Sequence, residues 1–436
     1  MTGTTDSAGV PERDRFIPIG KADLVDALAR RKGLDEDRVA LLESLARWFS
    51  LLFHLEFFAQ REVLKDRYTV LDPDQPGDGP VPGSLPQAVE FLDQLEKSLQ
   101  AANFRRLTEQ EVGVDSAAAG RVRARVVVPH TTYGAVRFYG RGRWMQTYTL
   151  KSFFGLRKQL VKEPVYDFVV FAAAAADDST LAPRERGRLR PGALYLKLFR
   201  DIPQGDLTTL YPNARVVMKL FDKLVIGVPA IVGGLPILIN IVPTVTVLLI
   251  VLGAYLGISG TVEEDSLKQA LAALSGLGAL GGFLLRQWTK YERQKLRYQK
   301  QVLDNAYFNT INNNRGFFDF VIGASEDSEV KEAILAYVFL SEADGPLSEA
   351  ELDSRIECWL RVETGKDIDF EVDDALRKLR ALGVLVERDG RFSAVPGLDA
   401  EAACRALWAR MAEEVTRPGA EALIGGHETR AQGVLT

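Results

Sequence analysis

Two runs of the chain carry no charged residue, Leu224 to Val262 and Gln269 to Leu285, and only Glu263-Glu264-Asp265-Ser266-Leu267-Lys268 separates them. At ~1.5 Å per helical residue, about 20 apolar residues cross a hydrocarbon core of ~30 Å. The pattern predicts a two-helix transmembrane hairpin, with spans at about 224–258 and 267–287. Pro229, Gly233-Gly234, Pro236, Asn240 and Pro243 interrupt the first run, which suggests a re-entrant piece before a span from Pro236 to Ile258. The second run is 17 residues, near the lower limit, and gains length if Lys268 and Arg286 snorkel.

Outside these runs the periodicity is that of ordinary folded protein. From Lys21 to Arg67 apolar residues recur every three or four positions (Leu42, Leu45, Phe49, Leu52, Phe53), which predicts helix. Asp72 to Gly83 is a Pro/Gly loop, after which Ser84 caps a helix over Leu85 to Ala102. From Arg121 the period shortens, predicting short antiparallel strands around Val126, Val136 to Tyr139, Trp144 to Leu150, Tyr166 to Ala172 and Ala193 to Phe199. Asp206 to Leu224 reads as a helix leading into the membrane, and the second span reads as continuing into a basic helix through Trp288 and Tyr298. Helices over Ser328–Ser341, Ser348–Thr364 and Phe370–Leu382 precede Val384 to Ser393, whose Asp389-Gly390 between alternating arms signals a hairpin, and a last helix covers Ala400–Val415.

The fold class expected is therefore an α+β membrane protein: a helical N-terminal part at 21–120, a small β-rich domain at 121–205, a helical stalk and hairpin at 206–310, and a winged-helix-like domain at 326–415. Residues 1–20 and 416–436 are expected to be disordered.

Composition adds a compartment and an orientation. The N-terminus lacks an apolar core of signal-peptide length, and the two cysteines, Cys358 and Cys404, form no CxxC, which argues for a reducing compartment. The net charge of −5 hides a split: residues 121–223 carry 19 Lys/Arg against 8 Asp/Glu, whereas residues 326–396 carry 9 against 18. Basic flanks on both sides of the hairpin place both termini in the cytoplasm, with bacterial cytoplasmic membrane as the expected location.

Several stretches resemble one family, the uncharacterised two-span membrane proteins that include transmembrane protein 143. They are Ala102-Asn103-Phe104, Leu196 to Pro203, Asp222 to Pro229, Asn312-Asn313-Asn314-Arg315-Gly316 and Lys331 to Tyr337. The likeness covers roughly Arg47 to Gly390. It implies the hairpin and supplies no activity. Animal members are associated with mitochondria, but this chain lacks an Arg/Ser-rich presequence. Some plant relatives are labelled aminopeptidases, a label these residues do not support.

Enzyme chemistry finds little footing. The three histidines, His54, His130 and His427, are far apart and form no HExxH motif; His54, beside Phe53, Phe57 and Phe58, reads as a packed side chain. There is no Walker A loop and no GxSxG elbow. Gly134 and Gly140-Arg141-Gly142 read as turn glycines. Neither a cofactor nor a metal is expected. Gly253-x-x-x-Gly257 and Gly278-x-x-x-Gly282 would let helices approach closely, within the hairpin or between copies. Lys219, Lys223, Arg286, Lys290 and Arg293 would set topology or meet lipid headgroups, and Arg137, Arg141, Arg143, Lys151, Arg157 and Lys158 offer a further anionic-lipid surface. Arg377, Lys378 and Arg380 share the third helix of the winged-helix-like domain, but the acidity of that domain opposes nucleic acid and favours a protein partner.

The function these features suggest is a non-enzymatic scaffold or adaptor at the inner membrane surface, homo-oligomeric and in contact with lipid. A channel or transporter lined by copies of the hairpin, or a membrane-associated enzyme, are the alternatives.

Overall fold

The computed structural model describes residues 13–31, 36–76, 81–113, 125–127, 132–152, 157–176, 189–212, 215–217, 245–246, 249–254, 256–257 and 264–416. The chain divides into two compact units. Unit 1 comprises Met1–Val112, His130–Gln204 and Asn309–Thr436; unit 2 comprises Gly113–Pro129 and Gly205–Phe308.

Unit 1 is built on an antiparallel five-stranded sheet in the order β1-β3-β4-β5-β7. The strands are β1 Arg105–Arg106, β3 Tyr133–Ser152, β4 Arg157–Ala175, β5 Leu194–Pro203 and β7 Thr310–Asn313. β3 and β4 run for 20 and 19 residues, where the sequence suggests several short strands. Gly140 and Gly142 lie inside β3 and not in turns. A Cβ on Gly140 would come within 2.7 Å of the Tyr166 ring, so the glycine makes room for that ring, and Gly142 holds a φ of +73°.

The helices of unit 1 are α1 Lys21–Arg31, α2 Glu36–Thr69, α3 Leu85–Ala101 and the single turn α4 Glu109–Val112. After β7 come α6 Asn314–Ser341, α7 Glu349–Thr364, α8 Val372–Ala381 and α9 Gly397–Thr416. α6 is the axis of the core. Every residue from Val330 to Leu340 is buried, including Lys331 and Glu332, as expected of a helix packed on all sides by α1, α2, α3, α7 and α8. Asn314, with a φ of +46°, starts it: its side chain accepts from the Leu196 N–H (3.2 Å) and donates to Asp74 (2.8 Å), tying β5 and the α2–α3 loop to α6.

After α6 come an isolated Leu347–Phe392 bridge, α7, α8 and a hairpin of β8 Leu385–Arg388 and β9 Arg391–Ala394. Ser348 caps α7 with Glu351 in a reciprocal box, and Gly365 ends it at a φ of +67°.

Unit 2 pairs β2 Arg125–Val127 with β6 Arg215–Val217 and contains α5, Glu264–Asn309, a helix of 46 residues. Between Gln204 and Val217 the structure shows a 3₁₀ turn, Gln204–Leu210, and strand β6 where the sequence suggests a helical stalk.

The expectation of an α+β membrane protein with a transmembrane hairpin is corrected. Among the described residues no helix is long and apolar enough to cross a membrane. The second charge-free run sits inside α5, where it ends at Arg286 after 17 residues and is diluted by Gln269, Ser275 and four glycines. Small residues offer little apolar area for transfer from water. Most of the first run, Leu224 to Val262, lies outside the described residues, as do the segments expected to be disordered beyond residue 416 and before residue 13. The integral-membrane location and the orientation deduced from it fall with the hairpin.

Candidate functional site

The sequence Ala102-Asn103-Phe104 closes α3 and starts the site. Asn103 adopts the left-handed conformation (φ 59°) just past the helix end. Its N–H donates to the Gln100 carbonyl (2.8 Å) and that of Phe104 to Leu99 (2.8 Å), the paired bonds of a Schellman cap. The cap aims three groups inward. The Ala102 carbonyl accepts from Arg141 (3.1 Å), the Asn103 amide donates to Glu332 (3.2 Å), and the Phe104 ring lies 4.8 Å from the Arg141 guanidinium.

Arg141 is buried in β3 and held by rings. Its guanidinium also lies over Phe16 (4.3 Å), Phe168 (4.6 Å) and Phe320 (5.9 Å). Such cation–π contacts strengthen when desolvated, at about 2 kcal/mol or more each in favourable cases. Burial pushes the Arg141 group down to about 10, opposed by Asp327, Asp14 and Asp167. A guanidinium enclosed in this way is a structural tether and cannot meet a headgroup. Arg137 is committed as well, to Asp93 (2.6 Å) and Glu96 (3.1 Å) on α3. The anionic-lipid surface suggested by these arginines is thereby reduced; Lys151, Arg157 and Lys158 have no described side-chain surroundings.

A second charged group lies between α6 and α8. Glu329, Glu332 and Asp374 place carboxylate oxygens within 4.8 Å of one another, a spacing that could hold a metal ion. The Lys378 ammonium already fills that position, bonded to Glu332 and Asp374 at 2.5 Å and also to Glu329. Burial pushes the Glu332 carboxyl well above its ordinary range, and three carboxylates around one cation favour retaining a proton there. The neighbouring Lys331 ammonium bonds Asp327 (2.5 Å) and the Ile17 carbonyl (3.3 Å).

The N-terminal segment straps these parts together. Asp14 bridges Ile368, and its carboxylate accepts from the Arg143 backbone N–H (2.5 Å). Arg13 pairs with Glu357 (2.9 Å) and Asp369 (2.5 Å), and Arg15 with Glu371 (2.5 Å). Strap, α3 cap, β3 and α8 enclose a cleft of about 570 Å³ whose walls include Arg13, Arg15, Arg105, Arg143, Tyr166 and Arg377.

The cations of α8 are all engaged within the chain. Lys378 is buried under its carboxylates, Arg377 pairs with Asp374 and Arg380 with Glu387 (2.5 Å). His54 is exposed and bonds Glu326 (2.9 Å) through Nδ1, which corrects the packed role suggested by its aromatic neighbours. His130 and His427 lie outside the described residues. Cys358 is exposed and Cys404 buried, and both are free thiols.

The residues singled out for helix packing and topology fall in unit 2. Lys219 and Lys223 lie outside the described residues. Gly253 is half-buried in a helical stretch at 249–254, and Gly257 follows it at a φ of +74°. Gly278 and Gly282 are exposed on α5, as are Arg286, Lys290 and Arg293. A methyl group on Gly257, Gly278 or Gly282 would meet no described atom within 4 Å.

On α5 the structure reveals a stripe that the glycine pairs alone do not announce. Leu271, Leu274, Gly278, Gly281, Leu285 and Trp288 recur at alternating intervals of three and four residues, and all are exposed. The large side chains keep 69%, 57%, 67% and 64% of their surface free at Leu271, Leu274, Leu285 and Trp288. Gly276, Leu280, Phe283, Gln287 and Tyr291, on the opposite side of the helix, are half-buried. The 3.5-residue period was present in the sequence but masked by the larger charge-free run around it.

No solved structure matches the chain. A family model described as "Protein of unknown function (DUF3754)" matches residues 149–316, a stretch that runs from the end of β3 through β5 and α5 to the start of α6. The chain thus carries a DUF3754 domain, of unknown function, at residues 149–316.

Proposed function

We propose that this chain is a non-enzymatic scaffold that self-associates through α5 and offers unit 1 as a protein-binding body. The observation that carries the reading is the exposed stripe Leu271, Leu274, Gly278, Gly281, Leu285 and Trp288. An apolar period of 3.5 residues fits a helical partner wound as a left-handed supercoil, and glycines within the seam allow close approach. At ~1.5 Å per residue the stripe runs about 25 Å, long enough for several layers of side chains. A second copy of α5 is the occupant that suits it. The flanking positions Ala270, Leu277, Leu284, Ser275, Gly282 and Thr289 are uncharged, so two identical helices meet without like-charge repulsion.

The pairing of the α8 cations supports a protein partner over a nucleic acid. Arg377, Lys378 and Arg380 each have a carboxylate partner, and a phosphate backbone would have to compete with all of these.

Light scattering on the full chain tests the self-association. The wild type is expected to exceed the monomer mass of 48.2 kDa, and the double variant Leu274→Lys, Leu285→Lys to return to it with unchanged helix content. Lysine is a good helix former, so the substitutions address the seam and not the helix. Equal masses for the two proteins would contradict the assignment of α5.

A further inference from the structure

The cleft of unit 1 is bordered by residues whose donors find no acceptor among the described residues. Tyr166 and Arg143 are direct partners across β4 and β3, so their Cβ atoms start about 5 Å apart. Tyr166 is 1% exposed, and its hydroxyl has no hydrogen-bond acceptor among the described residues. The charged groups acting on it are the Glu111 carboxylate and the guanidinium groups of Arg105 and Arg143; Arg105 donates a hydrogen bond to the hydroxyl oxygen, and neither guanidinium can accept its proton. Arg143 Nε is also buried without a partner. Asp14 accepts the backbone N–H of Arg143 and not its guanidinium. Two buried donor groups lacking acceptors, one of them cationic, are costly unless something supplies oxygen lone pairs.

The surrounding structure holds these donors in place. Glu111 fixes Arg105 through two bonds, of 2.9 and 2.7 Å, and Gly140 leaves room for the Tyr166 ring. Of the acidic residues that border the cleft, Glu371 pairs with Arg15, Glu329 and Asp374 pair with Lys378, and Asp14 accepts from the backbone N–H groups of Phe16 and Arg143; Asp373 borders it as well. Burial pushes the Tyr166 hydroxyl up, so it remains a donor through neutral pH.

We propose that the cleft at Arg143 and Tyr166 is a binding site for a small oxyanion, a phosphate or carboxylate group, which accepts from the Tyr166 hydroxyl and the Arg143 guanidinium. Arginine suits such a group because its planar fork can donate two parallel bonds. The site uses residues of unit 1 only and does not depend on association through α5.

Isothermal titration calorimetry of the full chain in low-salt chloride buffer, with inorganic phosphate and separately with acetate, tests the proposal. Saturable binding of one anion per chain is expected, and the anion that binds identifies the class. Tyr166→Phe, which keeps the ring, should weaken binding roughly tenfold, one charge-assisted hydrogen bond's worth. Arg143→Lys keeps the charge but loses the fork, and should weaken binding while thermal melting shows both variants folded. Absence of saturable heat from either anion up to concentrations on the order of 10 mM would overturn the site. So would affinities unchanged in both variants.

Discussion

At the scale of residues, the charged groups of unit 1 are held largely by one another, and Glu111 shows how. The Thr108-Glu109-Gln110-Glu111 spacing is that of a capping box, which the apolar periodicity did not bring out. In the structure the Glu111 carboxylate accepts from the Thr108 N–H (3.0 Å) and hydroxyl (3.1 Å) as well as from Arg105. Burial alone would raise its pKa, but the bonds from Arg105 and Thr108 outweigh burial and bring it to about 2. A carboxyl depressed in the folded state stabilises above its unfolded value of ~4.3 and loses that contribution as pH falls toward the folded value. Glu111→Gln is therefore expected to cost about 1–2 kcal/mol at neutral pH, after discounting for solvent screening, with the difference from wild type shrinking between about pH 4 and pH 2. Urea unfolding at a series of pH values measures this; a pH-independent difference would remove Glu111 from the role. The ring cage of Arg141 was not legible in the same way. Its four phenylalanines come from positions 16, 104, 168 and 320, and no local period joins them. Cation density suggested a surface where the period-two order Arg137, Tyr139, Arg141 signalled a committed face of β3.

At the scale of elements, local chemistry read well wherever backbone geometry decides. Asp389-Gly390 joins β8 to β9 with φ values of 52° and 71°, the two positive angles of a type I′ turn. Gly390→Ala should cost about 1 kcal/mol because alanine resists that conformation, although a Cβ there would meet no described atom within 4 Å. A thermal melt of the full chain reports it, and an unchanged midpoint would mean that the hairpin contributes nothing to cooperative folding. The Ser84 start of α3 was equally legible, since the Gln87 side chain accepts the Ser84 N–H at 3.0 Å. The run from Gln269 to Leu285 misled because freedom from charge was read as membrane burial. Within it, the pattern of large and small residues is a one-sided stripe on a helix that continues for a further 24 residues, to Asn309. Strand length was hidden for a related reason: glycines at 140 and 142 punctuate the sequence of β3 without ending the strand.

At the scale of the whole molecule, the proposed function divides the roles between the two units. Unit 1 buries a helix with charged residues at its centre and closes them with internal partners, and it holds the buried Arg143 and Tyr166 donors of the proposed oxyanion site. Unit 2 carries an exposed apolar stripe on a long helix. Monomeric proteins seldom leave a contiguous apolar patch of this kind uncovered, and a scaffold that assembles through it explains the stripe more directly than a solitary chain does. Sedimentation equilibrium of the full wild-type chain over a range of concentrations is the most direct test. Mass rising above 48.2 kDa toward a whole-number multiple is the expected result. A single 48.2 kDa species persisting to concentrations on the order of 100 µM would contradict self-association as the basis of function.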